Sequence, residues 1–282
     1  DDGTICIWDA ITGKVLRRID AHRGWVLSVS LSANCRKLVS GGEDGTVHLW
    51  DTSIGKPLHT YDGHKSAVES VALFSDESKL ASAGQDGVVR IWDAVTGKPI
   101  VDLNGHKGWV LSISITVDGR KLASASDDGT VRIWDLSDGN EALVLRRHIF
   151  SRFHSVALSG DGHTLATGGA DGVACLWDAD SGDAIAELIG HQGAIYSVAL
   201  SIDGCTLVTA GRDSTIRVWD VARKKLLRVH LHVPNGYACI EGNSVKTAGG
   251  DAWRYLGWQG IDANGRAEVL PIETTGPIPG LS

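Results

Sequence analysis

The chain has 282 residues, 43% of them hydrophobic and 22% charged, and 27 basic against 34 acidic groups leave a formal charge of -7. That is a globular composition whose acidic balance disfavours nucleic acid, because phosphate binding needs a net basic surface or a strong local patch. No apolar run approaches the ~20 residues of a membrane helix, and the amino terminus has neither a basic start nor an apolar segment, so no membrane partner is expected.

Residues 3–20 open the chain with two strand-like runs, 4–8 and 14–19, the first ending on Trp8-Asp9. Trp-Asp then recurs at Trp50, Trp92, Trp134, Trp177 and Trp219, with spacings of 42, 42, 42, 43 and 42 residues. A fixed period in this range marks four-stranded repeat units. Within the unit 80–93, LASAGQDGVVRIWD, a short apolar strand meets an Asp-Gly turn and an alternating, β-branched strand. Asp44-Gly45, Asp86-Gly87, Asp128-Gly129 and Asp171-Gly172 suit two-residue hairpin turns that need positive φ. Asp118-Gly119, Asp161-Gly162 and Asp203-Gly204 turn the preceding hairpin, and Thr12-Gly13, Thr96-Gly97 and Ser181-Gly182 follow the Trp-Asp pairs. Three turns per period predict four antiparallel strands, and no helical periodicity is sustained, so the fold class is all-β.

These units, with a Gly-His near the start and Trp-Asp at the end of most, resemble the WD-repeat β-propeller family over residues 3–220 and, more loosely, to about 271. The resemblance implies seven blade positions: a half blade at 3–20 with two strands, five regular blades at 21–229, and a degenerate last blade at 230–271 with strands near 236–240, 244–247, 254–258 and 267–271. Residues 272–282 form a tail. A six-bladed ring, pairing 236–248 with 4–19, is the alternative. Because Asp1-Asp2-Gly3 matches the blade turn Asp127-Asp128-Gly129, the chain is expected to start in mid-blade as the carboxy-terminal part of a longer protein, with further domains upstream. The segment 251–280 resembles the endings of WD-repeat sensor regions in bacterial apoptosome-like signalling ATPases.

Four polar positions keep step with the period: His22, Ser40, Asp44, Trp50; His64, Ser82, Asp86, Trp92; His106, Ser124, Asp128, Trp134; His148, Thr167, Asp171, Trp177; His191, Thr209, Asp213, Trp219. One catalytic site needs one Ser, His, Asp set, whereas five copies serve something every blade needs. The family resemblance implies a structural hydrogen-bonded chain in each blade, so no catalytic residue is assigned. Five cysteines at irregular spacing with no Cys-x-x-Cys pair suit a reducing, cytoplasmic compartment and point to no metal or cofactor.

Placed by the repeat, the residues after each Gly-His and before each turn Asp line one mouth of the channel: Trp25, Leu27 and Glu43; Ala67, Glu69 and Gln85; Trp109, Leu111 and Asp127; Arg152, His154 and Ala170; Ala194, Tyr196 and Arg212. Acidic groups and large aromatics sit in the first three sets, basic groups in the last two, which suits a protein or peptide partner. Trp25 and Trp109 occupy positions where other blades carry Ala67 and Ala194, so the fold does not require them. The expected function is a non-catalytic interaction scaffold or ligand-sensing propeller in a larger bacterial signalling protein. The alternatives are a rigid spacer without a ligand and a propeller hydrolase or lyase.

Overall fold

The computed structural model describes residues 2–146, 152–233, 236–241, 244–250, 257–261 and 267–271. Among them there are 26 strands and no helix. The first pair, β1 (Thr4–Trp8) and β2 (Val15–Asp20), forms a two-stranded sheet. Four antiparallel sheets of four strands follow in chain order: β3 (Val26–Leu31), β4 (Lys37–Gly42), β5 (Thr46–Asp51) and β6 (Lys56–Asp62); β7 (Val68–Leu73), β8 (Lys79–Gly84), β9 (Val88–Asp93) and β10 (Pro99–Asn104); β11 (Val110–Ile115), β12 (Lys121–Ser126), β13 (Thr130–Asp135) and β14 (Asn140–Arg146); β15 (Phe153–Leu158), β16 (Thr164–Gly169), β17 (Val173–Asp178) and β18 (Ala184–Ile189). Each is a meander in which sequential strands are neighbours, as short turns dictate.

The turns explain the local geometry and correct one expectation. Three residues, not two, separate β8 from β9: the Gly87 N–H donates to the Gly84 carbonyl at 3.1 Å and Gly87 takes φ +76°. This is a type I turn closed by a left-handed residue, the usual three-residue hairpin. In the fifth regular blade the left-handed place falls to Ser214, at φ +60°. The aspartate of each Trp-Asp organises the next turn; Asp9 Oδ1, for instance, accepts from the Ile11 and Thr12 N–H groups at 2.8 Å each.

The core lies between blades. Val39, Val47, Leu49 and Tyr61 of one sheet pack with Val68, Val71, Leu80 and Trp92 of the next, and the same arrangement recurs at each step. The innermost strands also join directly, through serines that sequence reasoning passed over. Ser28, Ser70, Ser112 and Ser155 Oγ accept the backbone N–H of Val71, Ile113, Val156 and Val198 in the following blade, at 3.0 to 3.2 Å. Their sequence signal was a Ser at the third position of every inner strand.

The carboxy-terminal region departs from the expected separate blade at 230–271. The last large sheet has six strands: β19 (Ile195–Leu200), β20 (Thr206–Gly211), β21 (Thr215–Asp220), β22 (Lys225–Val233), β23 (Gly236–Glu241) and β24 (Ser244–Gly250). β23 pairs with β22 from Arg228↔Glu241 to Val233↔Gly236, so the two strands extend the preceding blade. The physical reason is that β22 is nine residues long, against six or seven in the other outer strands, and only two residues separate it from β23. Asn235-Gly236 was the hairpin signal. A separate hairpin joins β25 (Gly257–Ile261) to β26 (Ala267–Pro271), its first strand running past Trp258 instead of ending there. Among the described strands neither β23 nor β24 pairs with β1 or β2, as the six-bladed alternative would require. His148, residues 251–256 and the tail 272–282 lie outside the described residues.

Candidate functional site: buried networks beneath an exposed rim

In the first regular blade, Trp50 Nε1–H donates to Ser40 Oγ at 2.9 Å, Ser40 Oγ meets His22 Nε2 at 2.8 Å, and His22 Nδ1 meets Asp44 Oδ1 at 3.0 Å. Chemistry sets the direction. Indole is a donor only, so the serine hydroxyl accepts from it and donates to Nε2, leaving Nδ1–H to donate to the carboxylate. The chain repeats through Ser82, His64 and Asp86, through Ser124, His106 and Asp128, and through Thr209, His191 and Asp213. In the fourth blade Trp177 Nε1–H donates to Thr167 Oγ1 at 2.9 Å, and Asp171 Oδ1 accepts the Val173 N–H at 3.1 Å. Trp50, Trp92, Trp134, Trp177 and Trp219 are all buried. Trp8 is 57% exposed, because no described strand pairs with the free edge of β1.

Burial pushes the Asp44 carboxyl up, but hydrogen bonds from the Arg23 N–H, from Thr46 and from His22 outweigh it and hold the group at about 2. Asp213 is likewise raised by burial, then brought down to about 2 by the Gln192 N–H, His191 and Thr215. Asp86 and Asp128 sit well below the usual carboxylate range: their burial is outweighed by His64 and Arg90 in one case and by His106, Thr130 and the Lys107 N–H in the other. Such carboxylates are stable ionised acceptors, with no proton to give near neutrality.

The rim residues Glu43, Gln85, Asp127, Ala170 and Arg212 each directly precede a network aspartate, and a single backbone bond recurs in every regular blade. The N–H groups of Glu43, Gln85, Asp127, Ala170 and Arg212 donate to the carbonyls of Trp25, Ala67, Trp109, Arg152 and Ala194, at 2.8 to 3.1 Å. The structure therefore brings each sequence-predicted pair together. Trp25, Glu43, Trp109, Arg152, Tyr196 and Arg212 are exposed, whereas Leu27, Glu69, Leu111, Asp127 and His154 are half-buried. Glu69 Oε1 accepts from Gln85 Nε2 at 2.7 Å within its own blade. The His154 ring stacks on Tyr196 of the next blade, with centroids 5.5 Å apart and planes inclined by 17°, and its Nδ1 lies 3.2 Å from the Ile195 carbonyl.

Sequence reasoning missed His48. It stands on β5 opposite Ser40, in the register position held by Arg90, Arg132 and Arg217 opposite Ser82, Ser124 and Thr209. Arg90 Nη1 donates to Asp86 Oδ2 at 2.8 Å. The His48 ring instead lies 4.8 Å from that of His22, and burial first, then the neighbouring His22, lower its pKa.

The fold and this repeated network define a class of proteins built of propeller blades. Comparison with known families agrees: a WD domain, G-beta repeat, matches residues 13–51, 55–93, 97–135, 139–178 and 182–220, and the chain belongs to the WD-repeat family. Each match takes in the outer strand of one blade and the three inner strands of the next, so the covalent repeat itself staples neighbouring blades. Repeats of this family generally serve as scaffolds for protein–protein interaction. No curated protein matches the chain.

Proposed function

We propose that this chain is a non-catalytic interaction module that binds a folded protein or peptide on the rim formed by Trp25, Glu43, Trp109, Asp127, Arg152, Tyr196 and Arg212. The observation that carries this reading is the exposure of Trp25 and Trp109, 53% and 48%, at the position where Ala67 of the blade between them is 7% exposed. The fold is complete with alanine there, so large indoles left in water are anchors without a structural duty. Glu43 and Asp127 beside the tryptophans, and Arg152 and Arg212 beyond them, give the rim the two-signed charge pattern of a protein-binding surface.

A catalytic reading fares worse. The Ser or Thr, His and Asp sets lie beneath the rim, each spent on the tryptophan of its own blade. A rigid spacer would need no exposed indoles. The irregular cysteine spacing without a Cys-x-x-Cys pair supports a reducing cytoplasm, and the carboxy-terminal resemblance supports a larger bacterial signalling protein.

The test is affinity capture from native lysate by the parent chain and by a Trp25→Ala, Trp109→Ala, Arg212→Ala variant shown to be folded by thermal melting. A partner held by the parent and lost by the variant is the expected result. Equal capture by both would remove the rim from consideration.

A further inference from the structure

We propose that His22, Asp44 and His48 form a divalent transition-metal site of the zinc class on the first regular blade. The three donor atoms lie within 4.8 Å of one another. His22 Nδ1 and Asp44 Oδ1 are 3.0 Å apart, close to the ~3.3 Å between neighbouring ligand atoms that zinc bonds of about 2.0–2.1 Å set at a tetrahedral angle. The Thr46 hydroxyl marks the polar centre of the triad, 2.7 Å from Asp44 Oδ1, 3.0 Å from His48 Nε2 and 3.2 Å from His22 Nδ1. A surface depression lined by Asp20, Ala21, Arg23 and Thr46 opens onto these groups and supplies the route for an ion.

Among the described residues this is the one such group of three donors, and three other blades show what sets it apart. Arg90, Arg132 and Arg217 stand where His48 does, and each places a permanent cation beside a network aspartate: Arg90 pairs with Asp86, and Arg217 Nη2 lies 3.8 Å from Asp213 Oδ2. A guanidinium repels a metal ion and offers no lone pair. Histidine at that register removes the cation and adds a second imidazole nitrogen to the imidazole and carboxylate already present, a donor set suited to zinc. His48 is itself oriented, because its Nδ1 lies 2.9 Å from Thr60 Oγ1, which leaves Nε2 to face the triad.

The metal replaces the three hydrogen bonds of the Thr46 hydroxyl, and water completes its coordination. The ring proton of His22 moves from Nδ1 to Nε2, which then donates to Ser40 Oγ, and that of His48 moves from Nε2 to Nδ1, which then donates to Thr60 Oγ1; both imidazoles stay neutral and no proton is lost. Metal binding at the rim is thereby linked to the Ser40 and Trp50 network that stiffens the blade. The absence of any Cys-x-x-Cys or similar spacing hid the site, since its ligands come from β5, the turn before it and the approach to β3.

The experiment adds Zn²⁺ alone to the metal-free chain and follows binding by calorimetry and the melting temperature, with Co²⁺ absorption reporting coordination geometry. His48→Arg installs the residue of three other blades, and His48→Gln keeps a neutral polar group if the arginine is not accommodated. The parent should take up one equivalent and melt higher with metal. Both variants should bind at least about tenfold more weakly, show no metal-dependent rise and melt as the parent does without metal. Equal binding by parent and variants, as exposed Cys35 or Cys205 would give, overturns the proposal, and so does a parent that shows neither heat nor a shift.

Discussion

Two layers of the same blades, one residue apart in sequence, have opposite fates. The carboxylates of Asp44, Asp128 and Asp213 turn inward to end a hydrogen-bonded chain, their side chains 16%, 9% and 10% exposed, while their predecessors Glu43 and Arg212 stand in solvent and Asp127 is half-buried. The buried layer is the same chemistry in blade after blade, whereas the rim differs in charge and size at every step. The difference shows that the turn holds both layers with one backbone, so specificity can vary at the rim without disturbing the network that supports it.

The largest break in this comparison should come from the buried layer. Replacing Ser82 with alanine strips the acceptor from Trp92 and the donor from His64, and should cost about 1–3 kcal/mol in denaturant unfolding. A loss no larger than a surface substitution gives would mean that the network does not stiffen the blade.

Acid should separate the layers next. Asp44 and Asp213 are held at about 2 in the folded chain, below the ordinary value of about 4. A depressed carboxylate stabilises the fold fully above the unfolded value and loses that contribution as pH falls through the folded one. Melting temperature should therefore hold from pH 7 to about 4 and drop between about 4 and 2. A curve already falling at pH 6 would point to other groups.

The turn between the layers offers a smaller, opposite effect. Ser214 takes the left-handed conformation that glycine supplies in the other regular blades, so Ser214→Gly should stabilise by about 0.5–1 kcal/mol. Smallest of all, Trp25→Ala or Trp109→Ala should change stability by no more than about 0.5 kcal/mol, since neither indole is buried. A greater loss would make these residues part of the fold and weaken the case for a recognition surface.

Much of this was legible in the chain itself. The period of 42 to 43 residues, the three turns per unit and the Trp, Ser or Thr, His and Asp positions specify blades and their networks because each depends on local backbone chemistry repeated five times. The same repetition separated Trp25 and Trp109 from the structural tryptophans. The length of the hairpin turns escaped notice because Asp-Gly is compatible with both two- and three-residue connections, and only the Gly84 to Gly87 bond decides between them.

What the sequence determined, then, was the repeat and everything that recurs with it, since a side chain that keeps step with the fold declares its role by its period. Tertiary structure alone decided what happens where the period ends or neighbours meet: β23 joins the long β22, His154 stacks on Tyr196 from the next blade, and His48 approaches His22 across strands. The physical reason is that strand pairing and side-chain packing depend on which edges and faces lie free in space. Residues distant along the chain, with no spacing rule between them, become neighbours only when the sheets are assembled.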